Sequence, residues 1–204
     1  MRLSPQVAIV RPGVTPEGSG ECGIEDAVTL EAVVLVDRSR VAVTPPALVR
    51  CTFAESIVDW VRKDLAAAAS TLKAQLTSID NYASYDCRGR NRIVGAKMSE
   101  HGKGNALDVR SFKLANGTVV QLTDPAVAMD LRERLRAKTC ARFTTVLGPG
   151  SDGFHEDHIH VDLAERRGGH RMCQWELREP TEETASEVAV PLPRPRPMIH
   201  DPRS

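Results

Sequence analysis

Two short stretches dominate this sequence: SEHGKGNALD at residues 99–108 and, further along the chain, HEDHIH at residues 155–160. Each contains the residue types of half a metal site. A catalytic zinc ion needs three nitrogen or carboxylate ligands from the protein and one open position for water. His101, Asp108 and one histidine of the pair His158 and His160 supply such a set. The two stretches together predict a zinc hydrolase.

The second stretch leads into residues that alternate between polar and apolar. If residues 157–163 form a strand, His158, His160 and Asp162 project from one face and the intervening apolar side chains project from the other. The polar face then lines a cleft above an apolar core. A histidine beside a glycine-rich turn is by itself more often a hydrogen-bonded surface residue than a ligand. The crowding of histidines and carboxylates into two windows favours a metal site over that alternative.

The two stretches resemble a known superfamily. The pattern S-x-H-x-x-G-x-A-x-D followed by D-H-x-H is similar to zinc peptidases, a group that joins D-alanyl-D-alanine carboxypeptidases, murein endopeptidases, lysostaphin-type enzymes and the hedgehog signalling domain. More narrowly, residues 20–175 resemble the bacterial extensin-like C-terminal domain, through Cys22-Gly23, Pro45 to Cys51, Trp60, Tyr85, Cys87-Arg88 and residues 99–108, 146–152 and 155–163. The resemblance implies a peptidoglycan-peptidase domain with a hedgehog/D-Ala-D-Ala peptidase-like zinc fold.

Carried over residue by residue, the resemblance makes His101, Asp108 and His160 the zinc ligands. It leaves the catalytic general base open between His158 and Asp157. Carboxypeptidases of this group place a glutamate three residues before the last ligand, where this chain has Asp157, whereas the endopeptidases place the first histidine of His-x-His beside the metal water. Asp157 has a second interpretation, as a carboxylate that orients a ligand histidine.

This ligand set implies amide hydrolysis without a covalent intermediate. Zinc lowers the pKa of its bound water to about 7 and polarises the scissile carbonyl, while a nearby base takes the water proton and returns it to the leaving amine. Arg88 matches the arginine that holds the peptide carboxylate in related carboxypeptidases, and Ser99 would assist it in binding substrate. Arg88 also lies in a basic run with Arg90 and Arg92, so a solvated loop cation is an equal interpretation.

Length and composition fit one well-buried domain with tails. The chain has 204 residues, a formal net charge of zero and 41% hydrophobic residues. The balanced charge and the few aromatic residues argue against a nucleic-acid-binding surface. No apolar run approaches the roughly 20 residues of a membrane span. We expect peptidoglycan peptides as the partner, no nucleic acid, no membrane span and a monomeric chain.

Five cysteines are spread over the chain without a Cys-x-x-Cys motif: Cys22, Cys51, Cys87, Cys140 and Cys173. Their wide spacing favours disulfides in an exported wall enzyme over a zinc ribbon. We predict the pairs Cys22–Cys51 and Cys140–Cys173, with Cys87 free. The alternative is a cytosolic protein with small core cysteines. A periplasmic or cell-envelope location requires a leader outside this sequence or a different start codon, because residues 1–5 do not resemble a secretory signal.

The chain divides into three predicted segments: an extended N-terminal segment at 1–21, a zinc peptidase-like domain at 22–178 and a Pro-rich disordered tail at 179–204. Interleaved helices and antiparallel hairpins predict an α+β fold, in which a small, mostly antiparallel sheet has flanking helices. The predicted elements are short strands over 22–44, a helix after Pro45-Pro46 that ends by Ala74, strands over 107–112 and 118–122 joined at Asn116-Gly117, a helix over 125–139 that starts at Pro125, and strands over 144–147 and 158–163.

Three function classes remain open. The leading prediction is a zinc peptidase that acts on peptidoglycan stem peptides, as an endopeptidase or as a D,D-carboxypeptidase. The second is a catalytically inactive, zinc-containing cell-wall binding or scaffold domain, because a shared fold does not guarantee shared chemistry. The third is another metal-dependent amidase.

Overall fold

The computed structural model describes residues 3–14 and 22–180. Its strands are β1 Ala8–Pro12, β2 Ala27–Val34, β3 Arg40–Arg50, β4 Leu76–Ala83, β5 Ala106–Leu114, β6 Val119–Gln121, β7 Thr145–Leu147, β8 Ile159–Asp162 and β9 Met172–Gln174. Its α-helices are α1 Cys51–Trp60, α2 Ala66–Thr71 and α3 Met129–Arg142. A π-helical stretch, Val61–Leu65, joins α1 to α2, and short 3₁₀ turns lie at Arg90–Arg92, Glu100–Lys103 and Arg167–Gly169.

All nine strands form one mixed sheet in the order β1-β2-β3-β4-β5-β8-β7-β9, with β6 also paired to β5. Only the β3–β4 and β7–β9 pairs are parallel among the described strands. The predicted α+β class and mostly antiparallel sheet are therefore confirmed. The predicted hairpin at Asn116-Gly117 is also present, because it joins β5 to β6.

The sheet begins ahead of residue 22. We expected residues 1–21 to form an extended segment before the domain, and β1 is extended, but it pairs with β2 as an antiparallel edge strand. Ala8 in this strand is buried. The predicted Pro-rich tail lies outside the described residues from residue 181 onward.

Both predicted helices are present, and the first ends before Ala74 as predicted, but each starts later than expected. The first helix starts at Cys51, because β3 runs through Pro45 and Pro46. These prolines lie where the register between β2 and β3 shifts, so they interrupt no ladder hydrogen bond between those two strands. The second helix starts at Met129 instead of Pro125. The Asp124 carboxylate accepts a hydrogen bond from the Ala126 backbone N–H, which holds this segment in a turn.

A single apolar core lies between the helices and the sheet. Trp60 at the end of α1 packs edge-on against Phe143, with ring centroids 5.7 Å apart. Its indole N–H donates to the Thr139 hydroxyl at 3.1 Å, which ties α1 to α3. Leu107 and Val109 of β5 belong to this core. Because side chains alternate along a strand, residue 108 projects from the opposite face of the sheet. None of the described helices is long and apolar enough to cross a membrane.

The structure pairs the cysteines differently from the prediction. Cys140–Cys173 is confirmed as a disulfide, but the Cys22–Cys51 pair is wrong: Cys22 is bonded to Cys87, and the Cα atoms are 5.6 Å apart in both bridges. Cys51 is the free, partly buried cysteine. Two long-range contacts explain this pairing. The Gly23 N–H donates to the Gly102 carbonyl at 3.0 Å and the Asp86 N–H donates to the His101 carbonyl at 3.4 Å, so both cysteines lie beside the turn that precedes β5.

Candidate metal centre

His101 lies in the 3₁₀ turn Glu100–Lys103, and the residues around it explain the turn. Ser99 caps its N-terminus, where the hydroxyl oxygen accepts from the His101 N–H at 3.3 Å. Gly104 ends the turn with φ +60°, a conformation that side chains disfavour. A Cβ there would lie 2.4 Å from the Ile24 Cδ1 and 3.0 Å from the Arg50 nitrogen. The glycine therefore allows the turn to pack against neighbouring backbone just before β5.

Three side-chain atoms converge on one point beside β5. The His101 Nε2 lies 3.2 Å from the Asp108 Oδ1 and 3.1 Å from the His160 Nδ1, and the last two atoms lie 2.9 Å apart. All three side chains are buried. A tetrahedral zinc ion with bonds of about 2.0–2.1 Å has ligand atoms roughly 3.3 Å apart. The triangle therefore has about the size of one face of such a site.

The outer nitrogens of both histidines determine which atoms face the triangle. The His101 Nδ1 lies 2.5 Å from the Ser84 carbonyl oxygen, and the His160 Nε2 lies 3.0 Å from the Asp162 Oδ2. Carbonyl and carboxylate oxygens only accept, so each outer nitrogen carries the proton. In the neutral rings, both inner nitrogens then present lone pairs to each other and to Asp108. Such an arrangement requires a cation, and it matches the tethered histidines of metal sites.

The pKa values of His160 and Asp108 also indicate that the triangle favours a positive charge. Burial lowers the pKa of His160, but hydrogen bonds to Asp108 and Asp162 outweigh burial and raise it to about 9. Burial opposes ionisation of Asp108, yet hydrogen bonds from His101 and His160 hold its pKa well below the usual range. A metal-free chain therefore carries a proton in the triangle at neutral pH. A metal ion would replace that proton.

Two further histidines, His155 and His158, lie close to Asp108. The His158 Nδ1 is 2.8 Å from the Asp157 carboxylate, and its Nε2 is 3.7 Å from the Asp108 Oδ2. The His155 Nδ1 is 2.7 Å from the Asp152 carboxylate. One ligand atom from each of Asp108, His155 and His158 lies within 4.8 Å of the others, so this second group also has metal-binding residue types. Burial lowers the pKa of His155, which keeps it neutral at pH 7.

Asp157 contacts His158 from an exposed position. Its hydrogen bond from His158 lowers the pKa of the Asp157 carboxyl, so this group is an anion at neutral pH. The Arg110 guanidinium lies 3.6 Å from Asp157 and stacks 4.0 Å from the Tyr82 ring centroid. The Tyr82 ring in turn lies 4.9 Å from the His158 ring. The His158 ring is thus flanked by Asp157 and Tyr82, and Arg110 contacts both of these residues.

A cavity of about 310 Å³ opens beside His101, His155 and His160. Both residues predicted to bind substrate, Arg88 and Ser99, line it. The Arg88 Nε donates to the Asp86 carboxylate at 3.0 Å, so part of its fork of donors is already used. The other lining residues are Arg90, Asn91, Glu100, Thr145, Leu147, Asp152, Asp162, Arg166, Met172 and Gln174.

The structure brings together all the predicted ligand and base residues and adds residues that the sequence reasoning gave no role. The sequence indicates no role for His155, because this residue precedes β8, which starts at Ile159, and strand alternation cannot place its side chain. The His-x-x-His-x-His spacing was the available signal. Strand alternation predicts Asp162 on the polar face of the strand, and the structure shows that its carboxylate binds the outer nitrogen of His160. Tyr82 comes from β4 and Arg166 from the loop that follows β8, and neither position carries a local sequence signal.

Residues 3–174 match the family model described as Extensin-like protein C-terminus. The chain belongs to this family. The extensin-like C-terminal domain therefore includes every strand from β1 to β9. No curated protein and no solved structure is significantly similar to the chain. The narrower resemblance read from the sequence is thus confirmed.

Proposed function

We propose that this extensin-like domain is a zinc-dependent peptidase that hydrolyses amide bonds in peptidoglycan stem peptides. The observation that carries the proposal is the triangle of His101, Asp108 and His160, whose facing atoms lie 2.9–3.2 Å apart. We also propose that the domain is related to the D-Ala-D-Ala peptidase, lysostaphin and hedgehog superfamily. Support for that relationship comes from the pattern S-x-H-x-x-G-x-A-x-D followed by D-H-x-H.

The donor set fits zinc, because it consists of two imidazole nitrogens and one carboxylate oxygen. Three protein ligands leave one position for water, as in catalytic sites, whereas structural sites use four. Zinc bound there would lower the pKa of a water ligand and polarise the scissile carbonyl. Ser84 and Asp162 hold the two histidines in the tautomer that metal binding requires.

His158 is the general base in this proposal. Its Nδ1 donates to Asp157, so its Nε2 has a free lone pair, and this atom lies 3.7 Å from a carboxylate oxygen of the ligand Asp108. The lone pair takes a proton from the attacking water and returns it to the leaving amine. Asp157 orients the imidazole and stabilises its charged form, while Arg110 stabilises the Asp157 anion. Asp157 is therefore a positioning residue here.

The cavity beside the triangle is the proposed binding site for the peptide, with Arg88 and Ser99 in its wall. We propose a periplasmic or cell-envelope location, since two disulfides form most readily in an oxidising compartment. We also propose that the domain acts as a monomer.

The test is digestion of purified murein by the zinc-loaded protein, with the products identified by mass. Cleaved cross-links would indicate an endopeptidase, and release of a terminal D-alanine would indicate a D,D-carboxypeptidase. Protein stripped of metal and the His160→Ala variant are the controls and should release nothing. If zinc-replete protein also releases nothing, the peptidase proposal fails, and the inactive wall-binding domain becomes the better interpretation.

A further inference from the structure

Some charged side chains in the cavity wall have a partner of opposite charge, and others do not. Each of its three carboxylates already has a bonded partner: Glu100 with Lys103 at 2.9 Å, Asp152 with His155 at 2.7 Å and Asp162 with His160 at 3.0 Å. Arg88 is paired with Asp86 at 3.0 Å. The acidic residues therefore add little unsatisfied negative charge to the cavity.

Arg166 differs from these groups. Its two terminal nitrogens donate to the Thr144 carbonyl at 3.2 Å and to the Thr145 hydroxyl at 2.7 Å, both of which are neutral acceptors. No carboxylate of the described residues lies within ion-pair distance of its guanidinium, whereas Arg88 has one. Arg90, the third arginine of the cavity wall, also has no such partner among the described residues, but it is exposed, whereas Arg166 is partly buried and fixed by its two hydrogen bonds. A guanidinium carries five N–H groups, so donors remain after these two bonds. Arg166 thus presents a partly buried, unpaired positive charge at the cavity wall.

Hydrogen bonds fix Arg166 close to the triangle. The Thr145 hydroxyl accepts from Arg166 and donates to the Asp162 Oδ1. The other oxygen of Asp162 binds the outer nitrogen of His160 at 3.0 Å. Only Thr145 and Asp162 separate the guanidinium from a predicted metal ligand. The arginine is therefore held in place before any ligand arrives, which reduces the entropy lost on binding.

We propose that Arg166 binds a carboxylate of the substrate peptide inside this cavity. The identity of the ligand rests on the proposed peptidase function. A planar guanidinium matches a carboxylate with paired hydrogen bonds, and such charge-assisted bonds are stronger than neutral ones. The cavity volume of about 310 Å³ is at the small end of ligand pockets and suits a short peptide segment. Arg166 selects peptides with a free carboxylate at that position over neutral analogues.

The test compares two probes, N-acetyl-D-alanyl-D-alanine and its C-terminal amide, by calorimetric titration into zinc-loaded protein; every sample, including the one called wild type, carries His158→Ala so that neither probe is hydrolysed. The wild type is expected to bind the acid at least about tenfold more tightly than the amide, as expected for a charged hydrogen bond. Arg166→Ala should bind both probes equally, and Arg166→Lys should keep part of the preference. Arg167→Ala, a change at the exposed neighbouring arginine, is the matched control and should behave as wild type.

Arg166 could instead act only by stabilising the contact between Thr145 and Asp162. The thermal unfolding temperature and zinc content of each variant distinguish this structural role from ligand binding. A loss of acid preference with normal zinc content and unfolding temperature supports the proposal. If Arg166→Ala does not fold, the Arg166→Lys variant provides the test. Full retention of the preference for the acid probe in that variant would overturn the proposal that the Arg166 guanidinium pairs with the carboxylate. Acid preference that persists in Arg166→Ala, or a wild type that does not distinguish or bind the probes, also overturns it. Arg166-dependent preference without murein hydrolysis would remove the peptidase proposal and leave this site intact.

Discussion

Asp108 and His160 lie directly opposite each other on the antiparallel strands β5 and β8, with the Asp108 Oδ1 2.9 Å from the His160 Nδ1. Strand register alone therefore brings together two predicted ligands that are 52 positions apart in sequence. A slip of one residue would turn one of them to the opposite face of the sheet. His101 reaches the same point from the turn just before β5. One register and one turn thus define the whole triangle.

Removing any corner of the triangle should abolish stoichiometric zinc. We expect His101→Ala, Asp108→Ala and His160→Ala each to lose the ion, because two remaining ligands hold zinc weakly. Elemental analysis of the purified, folded variants measures this. His170→Ala changes an exposed histidine outside both histidine groups and should retain zinc. Full zinc content in all three triangle variants would rule out this assignment of ligands.

Replacing the proposed base should leave zinc bound and slow turnover. We expect His158→Ala to lower the rate of murein hydrolysis by about 10²–10⁴-fold, the usual contribution of general acid–base catalysis. Asp157→Asn should cost less, about 10–100-fold, since Asp157 acts through the His158 ring. The measurement is the rate for zinc-replete protein. Near wild-type rates in both variants would mean that neither residue is the base.

The two disulfides should differ in their effect on zinc. Cys22 lies against the turn that carries His101, since its Sγ would be 3.4 Å from a Cβ built at Gly102. We expect the double change Cys22→Ser and Cys87→Ser to weaken zinc binding and to lower stability by about 2–4 kcal/mol. Cys140→Ser with Cys173→Ser is the matched control, and it should lower stability without changing zinc affinity.

Thiol counting on the denatured, unreduced protein gives an independent check of the pairing. We expect one thiol per chain, from Cys51. Five free thiols would contradict both bridges and remove the main argument for export.

Zinc binding should release a proton. In the metal-free chain the pKa of His160 is raised from 6.5 to about 9, so this ring is charged at pH 7 and must lose its proton to bind zinc. Calorimetry in buffers of different ionisation enthalpy should detect about one proton released per ion at pH 7.5. The metal-free chain should also lose stability as the pH rises through about 9. That loss amounts to up to about 3 kcal/mol, because the raised pKa stabilises the fold only while the ring is protonated. Zinc-loaded protein should not lose this stability near pH 9. Proton release near zero when metal-free protein binds zinc would contradict the assignment of His160 as a ligand.

Gly104→Ala should damage the turn before β5. The left-handed conformation costs a non-glycine residue about 1–2 kcal/mol, and the new Cβ would lie against Ile24 and the Arg50 backbone. We expect lower thermal stability and weaker zinc binding together. Gly117→Ala is the control for strain alone, because its φ is also positive but no atom lies within 4 Å of the new Cβ. Equal zinc affinity in both variants would mean that packing at Gly104 does not position His101.

Sequence reasoning succeeded where the signal was local. The motif that contains His101 and Asp108 spans one turn and the start of one strand, so residue types and spacing sufficed to bring them together. The Asn116-Gly117 hairpin is local in the same sense. Alternation along β8 correctly put His160 and Asp162 on one face, because period two is a property of any strand.

Errors arose where distant segments decide the outcome. The pairing of Cys22 with Cys87 depends on a loop that folds back onto residue 23. The two prolines after Thr44 resemble a helix start, but pairing with β2 beyond them keeps residues 48–50 in β3. Arg166 reaches the cavity through its bonds to Thr144 and Thr145, and no local spacing indicates that contact.

The triangle also has a topological meaning. An ion held by His101 and His160 would join chain positions 59 residues apart, much as a covalent cross-link does. Together with the disulfides Cys22–Cys87 and Cys140–Cys173, such an ion would be a third cross-link between the segments that form the cavity. Each cross-link reduces the conformational entropy of the unfolded chain and so stabilises the native fold. Metal would then protect the domain against proteolysis as well as act in its chemistry, and a chelator would expose the chain even where no substrate is present.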